Sequence, residues 1–243
     1  MKRIFFNACT VAVMAVAVIA CGRTGQSVSW DQAVMPVSQF AQPVDEIEVS
    51  YPVAMGGEAA EAINGRIQKE LGVLLGYPED DVAAAVDALL SERNKDTIGE
   101  TIPYAMLING EVLTIGRVAS VRLSAYQYTG GAHGMSTVTS LNFDLCTGAE
   151  LQLSDLFTDT VKLAQVNRAV FAALQGEGRL DSLPLFVEVE KLPLPAGGVG
   201  IDSTGLYIHY NPYEIMPYAY GPTDYEVPFA EIEVLLNKKV FRF

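Results

Sequence analysis

The sequence predicts an α+β fold, with antiparallel sheet covered by helices packed mainly on one face. The chain has 243 residues, 50% of them hydrophobic and 19% charged, so it can bury a core in one domain or in two small ones. Several short segments alternate apolar and polar residues, which is typical of strands with one wet face, and others repeat apolar residues at helical spacing. No internal repeat of solenoid length is visible, which argues against a repeat architecture.

Residues 1–20 are predicted to form a signal peptide. Two basic residues, Lys2 and Arg3, precede an apolar run without charge. The run ends in Ile19-Ala20-Cys21-Gly22, which resembles a bacterial lipobox, in which the cysteine is lipidated and becomes the first mature residue. Cleavage before Cys21 and lipidation of Cys21 are therefore expected. An ordinary signal peptide or a single N-terminal membrane anchor is the alternative.

Charge and cysteine content narrow the possible functions. The chain has 16 Lys+Arg against 29 Asp+Glu, a net charge of −13, which argues against nucleic-acid binding because phosphate recognition needs clustered basic residues. Loss of Lys2 and Arg3 on cleavage lowers the basic count from 16 to 14 and brings the net charge to −15. With Cys9 removed and Cys21 lipidated, Cys146 would be the one remaining thiol, so no intramolecular disulfide is expected.

Residues 21–42 are rich in Ser, Thr, Gln and Gly and are expected to form a tether off the membrane. A first α+β subdomain is predicted over 43–150 and opens with a strand over 47–53. Helices over 62–75 and 82–90 follow, the first ended by a glycine and the second started by a proline.

The rest of the first subdomain is predicted to be a β meander. Asn109-Gly110 has the composition of a tight hairpin turn, between a strand over 102–108 and a long strand that reaches Tyr128. A glycine pair follows, and a further strand runs through 138–143 before a turn at Thr147-Gly148. Three or four antiparallel strands are therefore expected, with the preceding helices on one face.

A second α+β subdomain is predicted over 151–243. It would contain an amphipathic helix over 163–174 and a hairpin with strands over 199–202 and 206–210. A short strand over 225–227 and a final helix over 229–236 would complete it, since Pro228 is well placed to start a helix.

The sequence offers no recognisable catalytic constellation. Zinc and iron sites draw two or three histidines and carboxylates onto one centre, yet His133 and His209 lie on different segments without HxxxH or HExxH spacing. A DxDxDG calcium loop, a GxSxG motif and an SxxK motif are also missing from the sequence. We therefore expect no metal and no cofactor, and we do not expect an enzyme.

Two segments are candidate ligand-binding surfaces. Residues 126–134 place three glycines around His133 beside two tyrosines, and residues 207–225 hold six of the eleven tyrosines, stiffened by prolines. Tyrosine gives contact area at low entropic cost, so a rigid aromatic surface for a protein or a sugar is one interpretation. A structural corner with packed rings is the other. The candidate binding residues are Tyr126, Tyr128, His133, Tyr210, Tyr213, Glu214, Tyr218 and Tyr220.

The same segments carry a family resemblance. They contain Tyr-x-Tyr-Thr-Gly-Gly-Ala-His-Gly from Tyr126, Leu-Ser-Asp-Leu-Phe from Leu153 and Tyr-Asn-Pro-Tyr-Glu-Ile from Tyr210. In these motifs the chain resembles a bacterial extracytoplasmic domain family of unknown function, over roughly residues 44–236. Its members include the ectodomain of a lysozyme-sensing anti-sigma factor and the non-catalytic N-terminal part of a peptidoglycan deacetylase.

The resemblance implies a binding or sensing domain at the bacterial cell envelope. The expected protein is lipid-anchored, extracytoplasmic and non-catalytic, with the membrane as one partner and lysozyme or peptidoglycan as the candidate ligand. A net charge of −15 suits a cationic partner, because opposite charge raises encounter rates. The alternatives are a cell-wall glycan-modifying enzyme with His133 as acid/base, and a structural envelope lipoprotein. A cleft joining His133, Tyr128 and a carboxylate would favour the enzyme.

Overall fold

The computed structural model describes residues 28–36, 45–95, 102–157, 184–186 and 193–241. These residues form two mainly antiparallel sheets with helices, which confirms the predicted α+β class. The larger sheet has the strand order β1-β2-β3-β4-β5-β6, and only β2 and β3 pair in parallel. Its strands are β1 Ser29–Pro36, β2 Glu46–Met55, β3 Ala105–Ile115, β4 Val118–Tyr128, β5 Met135–Asp144 and β6 Glu150–Leu151. The predicted subdomain boundary at 150/151 falls inside β6, and the division itself stays a prediction.

Two helices connect the parallel strands β2 and β3. Both α1 (Gly57–Leu74) and α2 (Val82–Arg93) occur where the helical spacing predicted them, and together they form the long crossover that a parallel pair requires. The start of α2 is stabilised by Asp81, whose carboxylate accepts a hydrogen bond from the Ala83 amide at 2.8 Å.

The helices cover one face of the large sheet. On β4, Val121 and Leu123 are buried in the same core as Ile63 and Ile67 of α1. Because strand side chains alternate between faces, Ser120 and Arg122 lie on the opposite, more polar face of β4. The candidate sites described below lie on this polar face or next to it.

The predicted hairpin turn at Asn109-Gly110 is wrong. Both residues lie in the middle of β3, and the chain reverses at Gly116, between β3 and β4. A Cβ on Gly110 would lie 2.6 Å from Cδ of Pro52 and 2.8 Å from Cδ2 of Leu123. This glycine therefore allows close packing between β2 and β4 side chains and is not required by a turn.

Strand β1 lies within the segment 21–42 that was expected to be a tether. It pairs with β2 along its whole length, and Val28 and Trp30 are buried in the main core. The polar composition of the segment concealed its alternation of inward and outward residues, and pairing with β2 satisfies its backbone groups.

The smaller sheet contains β7 (Val199–Ile201), β8 (Gly205–Tyr210) and β9 (Thr223–Pro228), in that order, so the predicted hairpin and last strand are confirmed. The predicted final helix is split into an α-helical turn, Phe229–Ile232, and a 3₁₀ turn, Glu233–Leu235. These turns pack on β8 and β9 and form a second core. A further short helix, α3 (Leu153–Leu156), follows β6.

Side chains on the polar face of the large sheet hold β7. The Ile201 amide donates to Oγ of Ser120 at 3.0 Å, and Nδ2 of Asn142 donates to the Val199 carbonyl at 2.7 Å. Gly200 lies between them, where a Cβ would be 3.1 Å from Oγ of Ser140. The edge strand β7 of the small sheet is thus hydrogen-bonded to side chains on the polar face of the large sheet.

Cys146 is disulfide-bonded in the full-length chain, whereas the expectation of one remaining thiol concerned the mature chain after cleavage and lipidation, so that expectation stays a prediction. The other two cysteines of the sequence, Cys9 and Cys21, lie outside the described residues, so cleavage and lipidation remain predictions. The helix predicted over 163–174 also lies outside them. Within the described ranges, no helix is long and apolar enough to span a membrane.

Candidate functional site

The two segments singled out in the sequence meet at one end of the large sheet. Gly130 and Gly131, with φ of 85° and 124°, turn the chain after β4 and bring His133 back towards it. The imidazole of His133 stacks on the ring of Tyr218, with centroids 3.8 Å apart and an interplanar angle of 15°. The Tyr218 hydroxyl donates to the Gly134 carbonyl at 2.8 Å. A contact between residues 85 positions apart in the sequence therefore joins the segments.

Two further rings extend this contact. The ring of Tyr126 packs over Gly134, since a Cβ there would lie 2.4 Å from the ring carbons. The ring of Tyr213 lies 5.5 Å from that of Tyr218, tilted by 34°. Tyr126 is 38% exposed and Tyr213 is 50% exposed. We call Tyr126, His133, Tyr213 and Tyr218 the aromatic patch.

Asn211 attaches the tyrosine-rich loop to the edge of β5. Its side-chain amide accepts from the Val138 amide at 2.7 Å and donates to the Val138 carbonyl at 3.2 Å, as a neighbouring strand would do. Gly197 approaches the same edge, where a Cβ would be 2.0 Å from the Val138 oxygen. The loop is thereby held beside the start of β5, next to His133.

The Glu214 side chain stabilises the tyrosine-rich loop through hydrogen bonds from two backbone amides. Its carboxylate accepts from the Asn211 amide at 2.8 Å and from the Ala196 amide at 2.5 Å. Both carboxylate oxygens thus accept hydrogen bonds from the chain itself, which places Glu214 as a support of the loop.

Tyr210 was a candidate binding residue, and the structure places it in the second core. It is 2% exposed, and its hydroxyl donates to the Pro193 carbonyl at 2.5 Å. The residue lies on β8 with its ring on the apolar face, so a position inside the tyrosine-rich segment did not mean a position on the surface.

Among the described ring contacts, none joins the remaining two candidates, Tyr128 and Tyr220, to the aromatic patch. The Tyr128 hydroxyl donates to the Gly131 carbonyl at 3.0 Å and so stabilises the glycine turn. Tyr220 is exposed at the end of a 3₁₀ turn, Tyr218–Tyr220.

An acid/base site at His133 would need a carboxylate within hydrogen-bond reach. The Nδ1 atom of His133 lies 3.0 Å from the Gly134 carbonyl, and no carboxylate of a described residue is hydrogen-bonded to the ring. Tyr128 is committed to Gly131, so it does not converge with His133. Over the same part of the chain, no three His, Cys, Asp or Glu residues are grouped to hold a metal ion.

Sequence reasoning missed a second polar cluster on the small sheet. His209 is 7% exposed, and its Nδ1 lies 2.5 Å from Oδ1 of Asp224. The Tyr207 hydroxyl also donates to Asp224, and the Arg122 guanidinium lies 4.2 Å above the Tyr207 ring. The period of two along β8 and β9 puts these side chains on one face, which was the available signal.

Contacts within this cluster shift the pKa values of Tyr207 and Asp224. Partial burial raises the pKa of Tyr207, and the hydrogen bond to Asp224 reinforces this, bringing it to about 12. Burial also acts to raise the pKa of Asp224, but the hydrogen bonds from Tyr207 and His209 outweigh it and hold that pKa below its ordinary value. Asp224 is therefore a charged acceptor that fixes the two rings.

Two family models match this chain, and each covers a different part of it. Residues 40–136 match the family model described as deacetylase PdaC. Residues 154–230 match the protein of unknown function family DUF3298. The resemblance stated from the motifs is thereby confirmed. The DUF3298 segment contributes Tyr213 and Tyr218 to the aromatic patch, and the PdaC segment contributes Tyr126 and His133. No curated protein matches the chain.

Solved structures of DUF3298 proteins share the fold. A DUF3298 family protein from Pseudomonas aeruginosa PAO1 is 17% identical, with a TM-score of 0.58 and 97% of each chain covered. A member of the DUF3298 family from Bacteroides fragilis NCTC 9343 is 21% identical, with a TM-score of 0.59, covering 95% of this chain and 92% of that one. The arrangement of two sheets is therefore common to these proteins.

Proposed function

We propose that this protein is a lipid-anchored, non-catalytic binding protein of the bacterial cell envelope, and that the aromatic patch contacts its ligand. The observation that carries the proposal is the stacking of His133 on Tyr218, which unites two distant segments into one exposed aromatic surface. Tyrosine-rich surfaces of this kind supply large contact area from side chains with few rotatable bonds. The PdaC and DUF3298 matches support an envelope location.

Lysozyme and peptidoglycan are the two candidate ligands, as the family resemblance implies. The net charge of −13 favours the cationic protein, since charge attraction speeds encounter. The open rings of the patch would also stack against a sugar.

The test is binding of the full-length chain to lysozyme and to muropeptides, with Tyr213→Ala and Tyr218→Ala as variants. Each truncation should weaken binding to the true ligand by ~1–3 kcal/mol, the usual loss for an aromatic anchor. Val234→Ala is the control, because this residue is 79% exposed at the C-terminal 3₁₀ turn, away from the patch.

Circular dichroism must show that both tyrosine variants remain folded. Normal binding by two folded variants would show that the patch is not the contact surface. Loss of folding in both would mean that the rings serve as core, which favours the structural interpretation of the tyrosine-rich loop.

A further inference from the structure

The strand register measures how far the aromatic patch lies from the N-terminal end of β1. Tyr126 of β4 pairs with Leu107 of β3, which pairs with Glu48 of β2. Glu48 in turn pairs with Pro36, the last residue of β1. Tyr126 is therefore level with the end of β1, whereas Ser29 begins this strand seven positions earlier. At about 3.3 Å per residue, roughly 23 Å of strand separates the two levels.

The rest of the patch lies at the same end of the sheet as Tyr126. Strand β4 ends at Tyr128, and the glycine turn that carries His133 follows directly. The ring of His133 in turn stacks on Tyr218. The aromatic patch is thus at the end of the large sheet opposite to the start of β1.

Only a short stretch of chain separates the start of β1 from the proposed lipid attachment site. Cys21 lies seven positions before Val28, which is 2% exposed and belongs to the main core. The residues between them lie outside the described part of the chain, but covalent geometry lets seven residues span at most about 25 Å. A flexible chain of this length has an r.m.s. end-to-end distance of about 15 Å. A lipid on Cys21 would therefore keep the start of β1 close to the membrane surface.

These two lengths disfavour an inverted domain. If the patch end met the lipid surface with the strands upright, Val28 would be held roughly 26 Å above that surface. This height is at the limit of the fully extended tether and far above its r.m.s. length, so inversion would cost chain entropy. The start of β1 also offers an apolar side chain to lipid, because Met55 pairs with Ser29 and is 50% exposed.

We propose that the short tether holds the end of the large sheet at which β1 begins against the lipid surface, and that the aromatic patch is presented away from it. This inference rests on the proposed function, because it requires the lipid on Cys21. It adds where the ligand is met, roughly 23 Å beyond the start of β1. The ligand is accordingly one that approaches from the space outside the membrane, and not a lipid of the same bilayer.

The experiment compares the heights of two tryptophan reporters above the membrane in the full-length, lipidated protein. Met55→Trp reports the start of β1, and Ser136→Trp reports the patch end, since Ser136 is exposed and pairs with Tyr126. The only native tryptophan is the buried Trp30, and the wild-type chain measures its contribution. The energy acceptor is a dansyl-labelled headgroup in phosphatidylcholine vesicles.

After subtraction of the wild-type signal, energy transfer from Met55→Trp should be about threefold stronger than from Ser136→Trp, because the two levels differ by about 23 Å. Circular dichroism shows whether each variant folds. Glu48→Trp is a second reporter of the patch end if Ser136→Trp does not fold, since Glu48 is exposed and level with Tyr126.

A longer tether is the control for the cause of the orientation. Insertion of about 20 Gly and Ser residues after Gly25 raises the r.m.s. length of the tether to roughly 30 Å, which exceeds the height difference between the reporters. The ratio of the two transfer signals should then fall close to one.

The outcomes separate this inference from the proposed function. Equal transfer from both reporters, or stronger transfer from the patch end, in vesicle-bound protein would overturn the orientation and leave the anchor intact. A ratio that the longer tether does not change would overturn the tether as its cause. An unacylated chain that does not bind vesicles would overturn the anchoring, and this inference with it. Binding by Tyr218→Ala does not depend on orientation, so a misplaced patch is recognised separately.

Discussion

At the residue scale, the backbone of Tyr213 adopts an unusual conformation. Its φ is 69°, in the left-handed region that favours glycine, and it is the only non-glycine residue with positive φ in the described part of the chain. The Asn211–Glu214 turn holds it there, through the Glu214 amide donating to the Asn211 carbonyl at 3.0 Å. A strained tyrosine with an exposed ring is consistent with a ring kept for contact.

Tyr213→Gly is predicted to be more stable than Tyr213→Ala by about 1 kcal/mol, because only glycine adopts this conformation without a Cβ penalty. Both variants lose the ring, so their difference isolates the backbone strain. Urea unfolding at neutral pH measures it. Equal stability of the two variants would show that Tyr213 is not strained.

Asp224 should give the protein a specific acid sensitivity. Its folded pKa lies below the unfolded value of about 3.9, so its contribution to stability is present above about pH 4 and is lost as pH falls through the folded pKa. Asp224→Asn is therefore predicted to be less stable than wild type at pH 7, with a difference that shrinks as pH falls below about 4.

The measurement is the free energy of unfolding of wild type and variant across this pH range. Asp87→Asn is the control, because Asp87 is exposed on α2 and makes no hydrogen bond to a described side chain. A difference for Asp224→Asn that stays constant from pH 7 to pH 3 would contradict the prediction.

At the element scale, the packing of β2 against β3 and β4 depends on Gly110. Gly110→Ala is predicted to destabilise the protein by ~1–3 kcal/mol, because the new Cβ would meet Pro52 and Leu123 at less than 3 Å. Thermal or urea unfolding checks the size of the effect.

Gly65→Ala is the matched control for this substitution. Gly65 lies on the exposed side of α1 with no atom within 4 Å of its Cβ position, so alanine there should stabilise by roughly 0.5–1 kcal/mol. The same change thus has opposite signs in the two elements. If Gly110→Ala leaves the free energy of unfolding unchanged, the side chains of Pro52 and Leu123 can move away from the new methyl group without loss of stability.

At the scale of the whole molecule, anchoring depends on Cys21. Cys21→Ala is predicted to release the protein from the membrane fraction or to mislocalise it, because the proposed lipid would have no attachment site. Cys9→Ala leaves the lipobox unchanged and should leave membrane fractionation unchanged. Fractionation together with the mass of the mature N-terminus is the measurement.

A sulfur that carries a lipid cannot also form a disulfide, so the chemical state of Cys21 tests the anchoring prediction directly. A mature chain whose Cys21 is bonded to Cys146, without acyl groups, would contradict the anchoring prediction. An acylated Cys21 would instead support it.

Local pattern was enough to predict most elements. The alternation over 47–53, the helical spacing of 62–75 and the hairpin around Ser203 all appear as β2, α1 and the β7–β8 pair. The prediction that helices would cover one face of the large sheet is also confirmed. Such patterns depend on residues close in sequence, and burial on one side of an element is enough to impose them.

Only the tertiary structure decided what each marked residue does. Asn109-Gly110 has the composition of a turn, yet Gly110 lies within a strand. Pro52 of the neighbouring strand β2 leaves no room there for a larger side chain. Tyr210 and Tyr213 belong to one aromatic segment, yet one is core and the other surface. The sequence by itself determined that two glycine-rich and tyrosine-rich segments exist. Their union at His133 and Tyr218 depends on Asn211 docking against β5, a contact across 73 residues that no local period records.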